Sequence, residues 1–147
     1  MNIKRIPYRT EDLHPEVRFQ FSALAEDLAL AYQADRTEFL LEPFEGFRSP
    51  DRQRHLLTEG TTKAGPWQSA HQFGFAVDFV PRRIREITKT TDHPTRTIRE
   101  WYWPAAEHND WQVLAELAAQ HGLLTPITWD KPHVVHPYWK QIRKIWL

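Results

Sequence analysis

Cysteine is absent from the 147 residues, which excludes disulfides and thiolate metal sites and leaves histidine and carboxylate as the side chains able to hold a transition metal. Net charge is absent too. Basic and acidic residues number 19 each, so there is no broad basic field of the kind that draws in nucleic acid, and no nucleic-acid partner is expected. Long apolar runs are also missing. The basic start, Met1 to Tyr8, has no hydrophobic stretch behind it, and no later segment approaches the length that spans a bilayer. The expectation is a protein made in the cytoplasm, without stable membrane insertion. What is present, 41% hydrophobic and 26% charged residues, fits one globular domain over residues 1–147 with a core of useful size.

The most informative stretch runs from Ser69 to Phe79, where His71 and Asp78 flank an apolar segment containing Gly74. Seven residues is too far for one helical turn and of the wrong parity for one strand face, so a loop carries His71 and a strand carries Asp78. Phe75, Val77 and Phe79 alternate with Ala76 and Asp78, which sends the large side chains to the core and Asp78 to the opposite face. Gly74 supplies the tight entry that bends His71 back over Asp78. On this stretch alone, a surface histidine and a strand-end aspartate that never meet remain an equal alternative.

A third ligand is offered near the other end, in Trp129-Asp130-Lys131-Pro132-His133-Val134-Val135-His136. Zinc is held by histidine nitrogen and carboxylate oxygen, and a catalytic site keeps one position open, so His71, Asp78 and one further histidine make a working set. His133 and His136 stand three apart in a Val-Val strand and face opposite ways, so one of them can reach the metal. Asp130, three residues before His133, is placed to take a proton from water as a general base. His136 has no such neighbour.

These residues, Ser-x-His-x-x-Gly-x-Ala-x-Asp and then an acidic residue two spacers before a histidine, resemble the M15 zinc peptidases. That family contains D-alanyl-D-alanine dipeptidases and carboxypeptidases and phage L-alanyl-D-glutamate endolysins. Gly46-Phe47-Arg48-Ser49 with Gln53, and Gly60-Thr61-Thr62-Lys63-Ala64, are similar to its arginine-bearing segment and its threonine-lysine loop. The resemblance covers roughly Gly46 to His133. It implies an α+β fold with helices packed on an antiparallel sheet, like the hedgehog/DD-peptidase fold, and Zn2+ on His71, Asp78 and His133. It implies Asp130 as base, Arg48 steadying the oxyanion, and Ser69 helping to hold the peptidoglycan stem peptide. Asp130, where many relatives have glutamate, is similar to the endolysin branch, and points to L-alanyl-D-glutamate cleavage by a monomer reaching the cell wall after phage-type release or delivery. A D-alanyl-D-alanine carboxypeptidase and a non-catalytic zinc-binding virion or wall-binding module are the alternatives. Leu123 to Thr128 is shorter than the family's usual glycine-tryptophan-rich connection, which leaves one groove wall undefined.

The periodicities predict a helix over Pro15 to Asp35 with Val17, Phe21, Leu24, Leu28 and Ala31 on its packing face. A short strand, Glu38 to Glu42, leads into the Gly46–Arg48 turn. Ser49 caps a helix that Pro50 opens and Gly60 closes. Thr61 to Gln68 is a loop; Trp67 within it is either core or an exposed platform in the groove. Pro81 to Pro104 lacks periodicity and reads as a long excursion, with His93 and His108 solvated or behind the site. Asp110 caps a helix ending at Gly122, and Tyr138 to Leu147 docks as a last helix.

Overall fold

Residues 4–34, 39–65, 67–87, 96–105, 108–127 and 130–146 are described by the computed structural model. Helix α1, Arg18–Ala34, lays Phe21, Leu24 and Leu28 against the sheet, and Val17 enters the same core from the turn before it. Each is fully buried, which for a large apolar side chain is worth roughly 1.5–3 kcal/mol. The helix begins three residues after Pro15, later than the proline suggested, because Pro15 to Val17 form a turn first. Asp35 and Glu38 lie outside the described residues.

Strand β1, Phe39–Glu45, leads to α2, Pro50–Thr58. The chain then passes through a 3-10 turn, Ala70–Phe73, into β2, Ala76–Ile87, and returns as β3, Arg96–Trp101. Helix α3, Asn109–Gln120, strand β4, His133–Val135, and helix α4, Trp139–Trp146, complete the order. The four strands form one antiparallel sheet around β2. β1 pairs along one side of β2; along the other side β4 pairs residues 76–78 and β3 pairs residues 82–87. The expected α+β fold, helices on an antiparallel sheet, is therefore present.

Strand parity divides the sheet. Val77 and Phe79, with Val134 across from Val77, turn to α1 and α3 and form the core with Leu114 and Ala118. Asp78 turns the other way. His121, at the end of α3, is tied to α1 through Asp27 at 2.6 Å and through Gln20, whose amide donates to the His121 carbonyl at 2.9 Å. None of the described helices is long and apolar enough to cross a membrane.

Three expectations are corrected. Strand β1 continues through Pro43 to Glu45, three residues beyond Glu42, because its register against β2 shifts between Pro43 and Glu45: a bulge accommodates the proline that would interrupt a regular ladder. Residues 81–87 and 96–101 of the stretch read as a long excursion belong to strands β2 and β3; they carry few apolar residues to alternate, so they leave no hydrophobic period. His93 lies outside the described residues, as does Trp129. The cap of α3 is His108, whose Nδ1 accepts from the Asp110 N–H at 3.2 Å, and Asp110 sits inside the first turn instead. Ser49 caps α2 as expected, accepting from the Arg52 N–H at 3.1 Å.

Candidate metal centre

Asp78 has a direct cross-strand partner on each side, His133 on β4 and Glu45 on β1. Register alone thus sets three polar residues in a row on the face away from α1. His71 reaches the same place from the 3-10 turn. Gly74 ends that turn in the left-handed region, φ 76°, and its carbonyl accepts from the His14 N–H at 3.0 Å. A Cβ at Gly74 would lie 2.5 Å from the His14 nitrogen, so this approach admits no side chain.

Backbone contacts fix the His71 ring. The His71 carbonyl accepts from the Arg48 N–H at 3.1 Å, and its Nδ1 lies 2.8 Å from the Gly46 carbonyl. A carbonyl can only accept, so the proton is on Nδ1. Burial pushes the His71 pKa below its ordinary value against the pull of Asp78, so the neutral ring presents a lone pair at Nε2. That nitrogen is 3.1 Å from Asp78 Oδ1 and 3.2 Å from His133 Nδ1, while His133 Nδ1 is 3.4 Å from the same oxygen. One potential ligand atom from each of the three residues thus lies within 3.4 Å of the other two, and the group could hold a metal ion.

The two oxygens of Asp78 have separate tasks. Oδ1 faces the histidines, and Oδ2 lies 3.3 Å from Arg48 Nη2. Burial alone would raise the Asp78 pKa, but His71 and His133 hold it well below the usual carboxylate range. Arg48 is in turn gripped by Glu45 at Nε and by Gln53 Oε1 at 3.0 Å from Nη1. Glu45 also takes Arg52 Nε at 3.3 Å, and Gln53 sends its own amide to the Ala64 carbonyl at 2.7 Å. Glu45, buried and paired with Arg48 and Arg52, is a site residue that the sequence reading missed; an acidic residue just before Gly-Phe-Arg was its one signal.

Asp130 lies at a turn whose carbonyl accepts from the His133 N–H at 3.2 Å, and the next carbonyl but one, that of Pro132, accepts from the Phe79 N–H at 2.9 Å. The turn is thereby held against β2. Burial first, and then the charge of Asp78, raise the Asp130 pKa to about 6, against the lowering influence of His133 and Arg48. His136, beyond the strand, packs beside Tyr138 and does not join the group.

A cleft of about 640 Å³ opens over this floor, within the usual range for ligand sites. Arg48, Ser69, His71, Asp78, Asp130 and His133 all line it. Its walls come from Thr61–Ala64 and Gln68, from Pro126 and Ile127, and from Phe44, Trp103 and Trp139. Pro126 and Ile127 supply the wall that the short connection left undefined. Ser69 caps the 3-10 turn, accepting from the His71 N–H at 3.3 Å. Trp67 is 55% exposed, packs against Phe73 and does not line the cleft.

No family model and no curated protein matches the chain. Among solved structures, it is similar to the L-Ala D-Glu endopeptidase ChiX of Serratia marcescens, with 21% identity and a TM-score of 0.50 over 94% of this chain and 93% of that chain. The likeness is one of fold.

Proposed function

We propose that the protein is a zinc-dependent peptidase of the M15 type that cuts the stem peptide of peptidoglycan, between L-alanine and D-glutamate. The observation that carries this reading is the triangle of His71 Nε2, Asp78 Oδ1 and His133 Nδ1, with edges of 3.1, 3.2 and 3.4 Å. Tetrahedral bonds of about 2.0–2.1 Å to nitrogen and oxygen set ligand atoms roughly 3.3 Å apart, so these residues fit zinc with one position left for water or substrate. Fold similarity to an L-Ala D-Glu endopeptidase supports the choice of bond.

A zinc ion on these residues would supply Lewis acidity to water and to the scissile carbonyl. The rest of the chemistry belongs to the chain. Asp130, with its pKa near 6, is ionised at neutral pH yet basic enough to take the proton from the attacking water and return one to the leaving amine. Arg48 lines the cleft next to Asp78; its guanidinium keeps Asp78 Oδ2 occupied and offers its remaining N–H groups to the oxyanion. Ser69 and the Thr62–Ala64 segment line the same cleft and would hold the peptide backbone. Every group comes from one chain, so a monomer suffices.

The test is digestion of purified peptidoglycan by the zinc-loaded protein, with the new termini identified by mass spectrometry. A new amino terminus on D-glutamate is the expected product. Release of D-alanine without that terminus would replace this specificity with a carboxypeptidase, and intact stems at full zinc occupancy would remove the peptidase reading altogether.

A further inference from the structure

Trp103 lines the cleft and, although a large apolar side chain, leaves 56% of its surface in water. The chain aims it there. β3 runs back along β2 toward Asp78, and just beyond its end the Tyr102 N–H donates to the Pro81 carbonyl at 2.8 Å, so the next residue emerges at the cleft. The ring is braced from behind. Phe44 meets Trp103 edge-on, with centroids 5.4 Å apart, and meets Trp101 in the same way at 5.0 Å. The Arg5 guanidinium lies 4.2 Å over the Phe44 ring and donates to the Phe44 carbonyl at 3.0 Å, and Arg82 lies 4.9 Å over Trp101. An indole held this firmly and left this exposed is a preorganised flat apolar surface.

We propose that Trp103 is a stacking platform for the glycan strand that bears the stem peptide, an inference that rests on the peptidoglycan peptidase reading. The stem is built of alanine, glutamate and a diamino acid, none of which has a broad apolar face to lay on an indole. An N-acetylhexosamine ring has one, in the C–H groups of its pyranose. The build of the substrate points the same way. One L-alanine and the lactyl group separate the alanyl–glutamyl carbonyl from the sugar ring, about two spacers of at most roughly 3.6 Å each, so a carbonyl held at the floor keeps the sugar near the cleft that Trp103 lines. A peptidase cutting at the far D-alanine end would keep the sugar several residues away.

The test compares two substrates, a free stem tripeptide and the same tripeptide on its N-acetylglucosaminyl–N-acetylmuramyl disaccharide, with the zinc-loaded full chain. The sugar-bearing substrate is expected to have a KM roughly threefold to tenfold lower, the size of one aromatic stacking contact. In Trp103→Ala the two KM values converge, Trp103→Phe keeps part of the difference, and Trp67→Ala, an exposed tryptophan outside the cleft, keeps all of it. Equal KM values in the unaltered protein, or an undiminished difference in Trp103→Ala, would overturn the platform. If neither substrate is cut, the peptidase reading fails and titration with the free disaccharide decides alone. A shift of the indole N–H resonance that Trp103→Ala removes keeps the sugar site, and no shift removes it.

Discussion

The floor of the cleft and its rim are built on opposite terms. On the floor, Glu45 and His71 are 2% exposed and Gln53 is fully buried, and the polar groups answer one another: Glu45 with Arg48 and Arg52, Arg48 with Asp78, Asp78 with both histidines. At the rim, Trp103 is more than half exposed and Thr61 and Lys63 stand in solvent. Sheet register places Glu45, Asp78 and His133 on the floor and short connections bring Arg48 and His71 to them, whereas longer loops and strand ends place the rim. The floor therefore suits chemistry that tolerates no displacement, and the rim suits selection among substrates, where each contact contributes little.

The sharpest way to break this contrast is to remove one of the residues proposed to hold zinc. His71→Ala and His133→Ala are each expected to lose bound zinc and with it all measurable hydrolysis, whereas His136→Ala leaves zinc content nearly unchanged. Metal analysis of the purified variants decides it. Full occupancy in both ligand variants would mean that the triangle of atoms is not the metal site.

Asp130→Asn keeps the shape and removes the proton acceptor. Zinc should remain, and turnover should fall by roughly 10²–10⁴-fold, the usual contribution of a general base. A base with a pKa of about 6 must be deprotonated to act, so activity of the unaltered protein should rise as pH increases through that value. The rise should be missing from the variant's profile. Loss of zinc together with activity would make Asp130 a ligand instead.

Behind the ligands, Glu45→Gln removes the charge that grips Arg48 without emptying the space. Outer partners of metal ligands are typically worth about 10–100-fold in metal affinity or activity, and a loss of that size is expected here. Competition with a chelator would separate weaker zinc binding from slower turnover. Outside both regions, Trp67→Ala should leave hydrolysis of a free stem peptide within about twofold, as for an exposed side chain whose change is worth roughly 0.5 kcal/mol. A tenfold loss in Trp67→Ala would extend the working surface beyond the floor and rim.

The floor was readable in the sequence because chemistry restricts its residue types. With no cysteine, histidine and carboxylate were the ligand types on offer; strand parity put His133 and His136 on opposite faces, and Asp130, three residues before His133, chose between them. Gly74 and Gly122 marked turns because both sit at positive φ, where other residues are strained. The rim left no such trace. Trp103 fell in a stretch without hydrophobic period, and its position depends on pairing between β3 and residues 82–87 of β2, beyond the Val77 and Phe79 alternation that opens the strand. His108 was passed over as a cap because a ring nitrogen accepting a backbone N–H is a rarer solution than the carboxylate of Asp110 two residues on. Glu45 was hidden by the bulge, since counting by twos along β1 from Glu42 sends it to the wrong face.

That bulge makes Phe44 a residue of the aromatic brace and not of the ladder. Glu42 lies opposite Val80 and Glu45 opposite Asp78, so three steps on β1 match two on β2, and Phe44 is the surplus. Deleting Phe44 would close the ladder with Pro43 still opposite Phe79 and Glu45 still opposite Asp78, so the buried charges would keep their partners. What would go is the ring that meets Trp101 and Trp103 edge-on and the carbonyl that accepts from Arg5. A chain one residue shorter at this point should therefore keep the triangle of His71, Asp78 and His133 and lose the support behind Trp103.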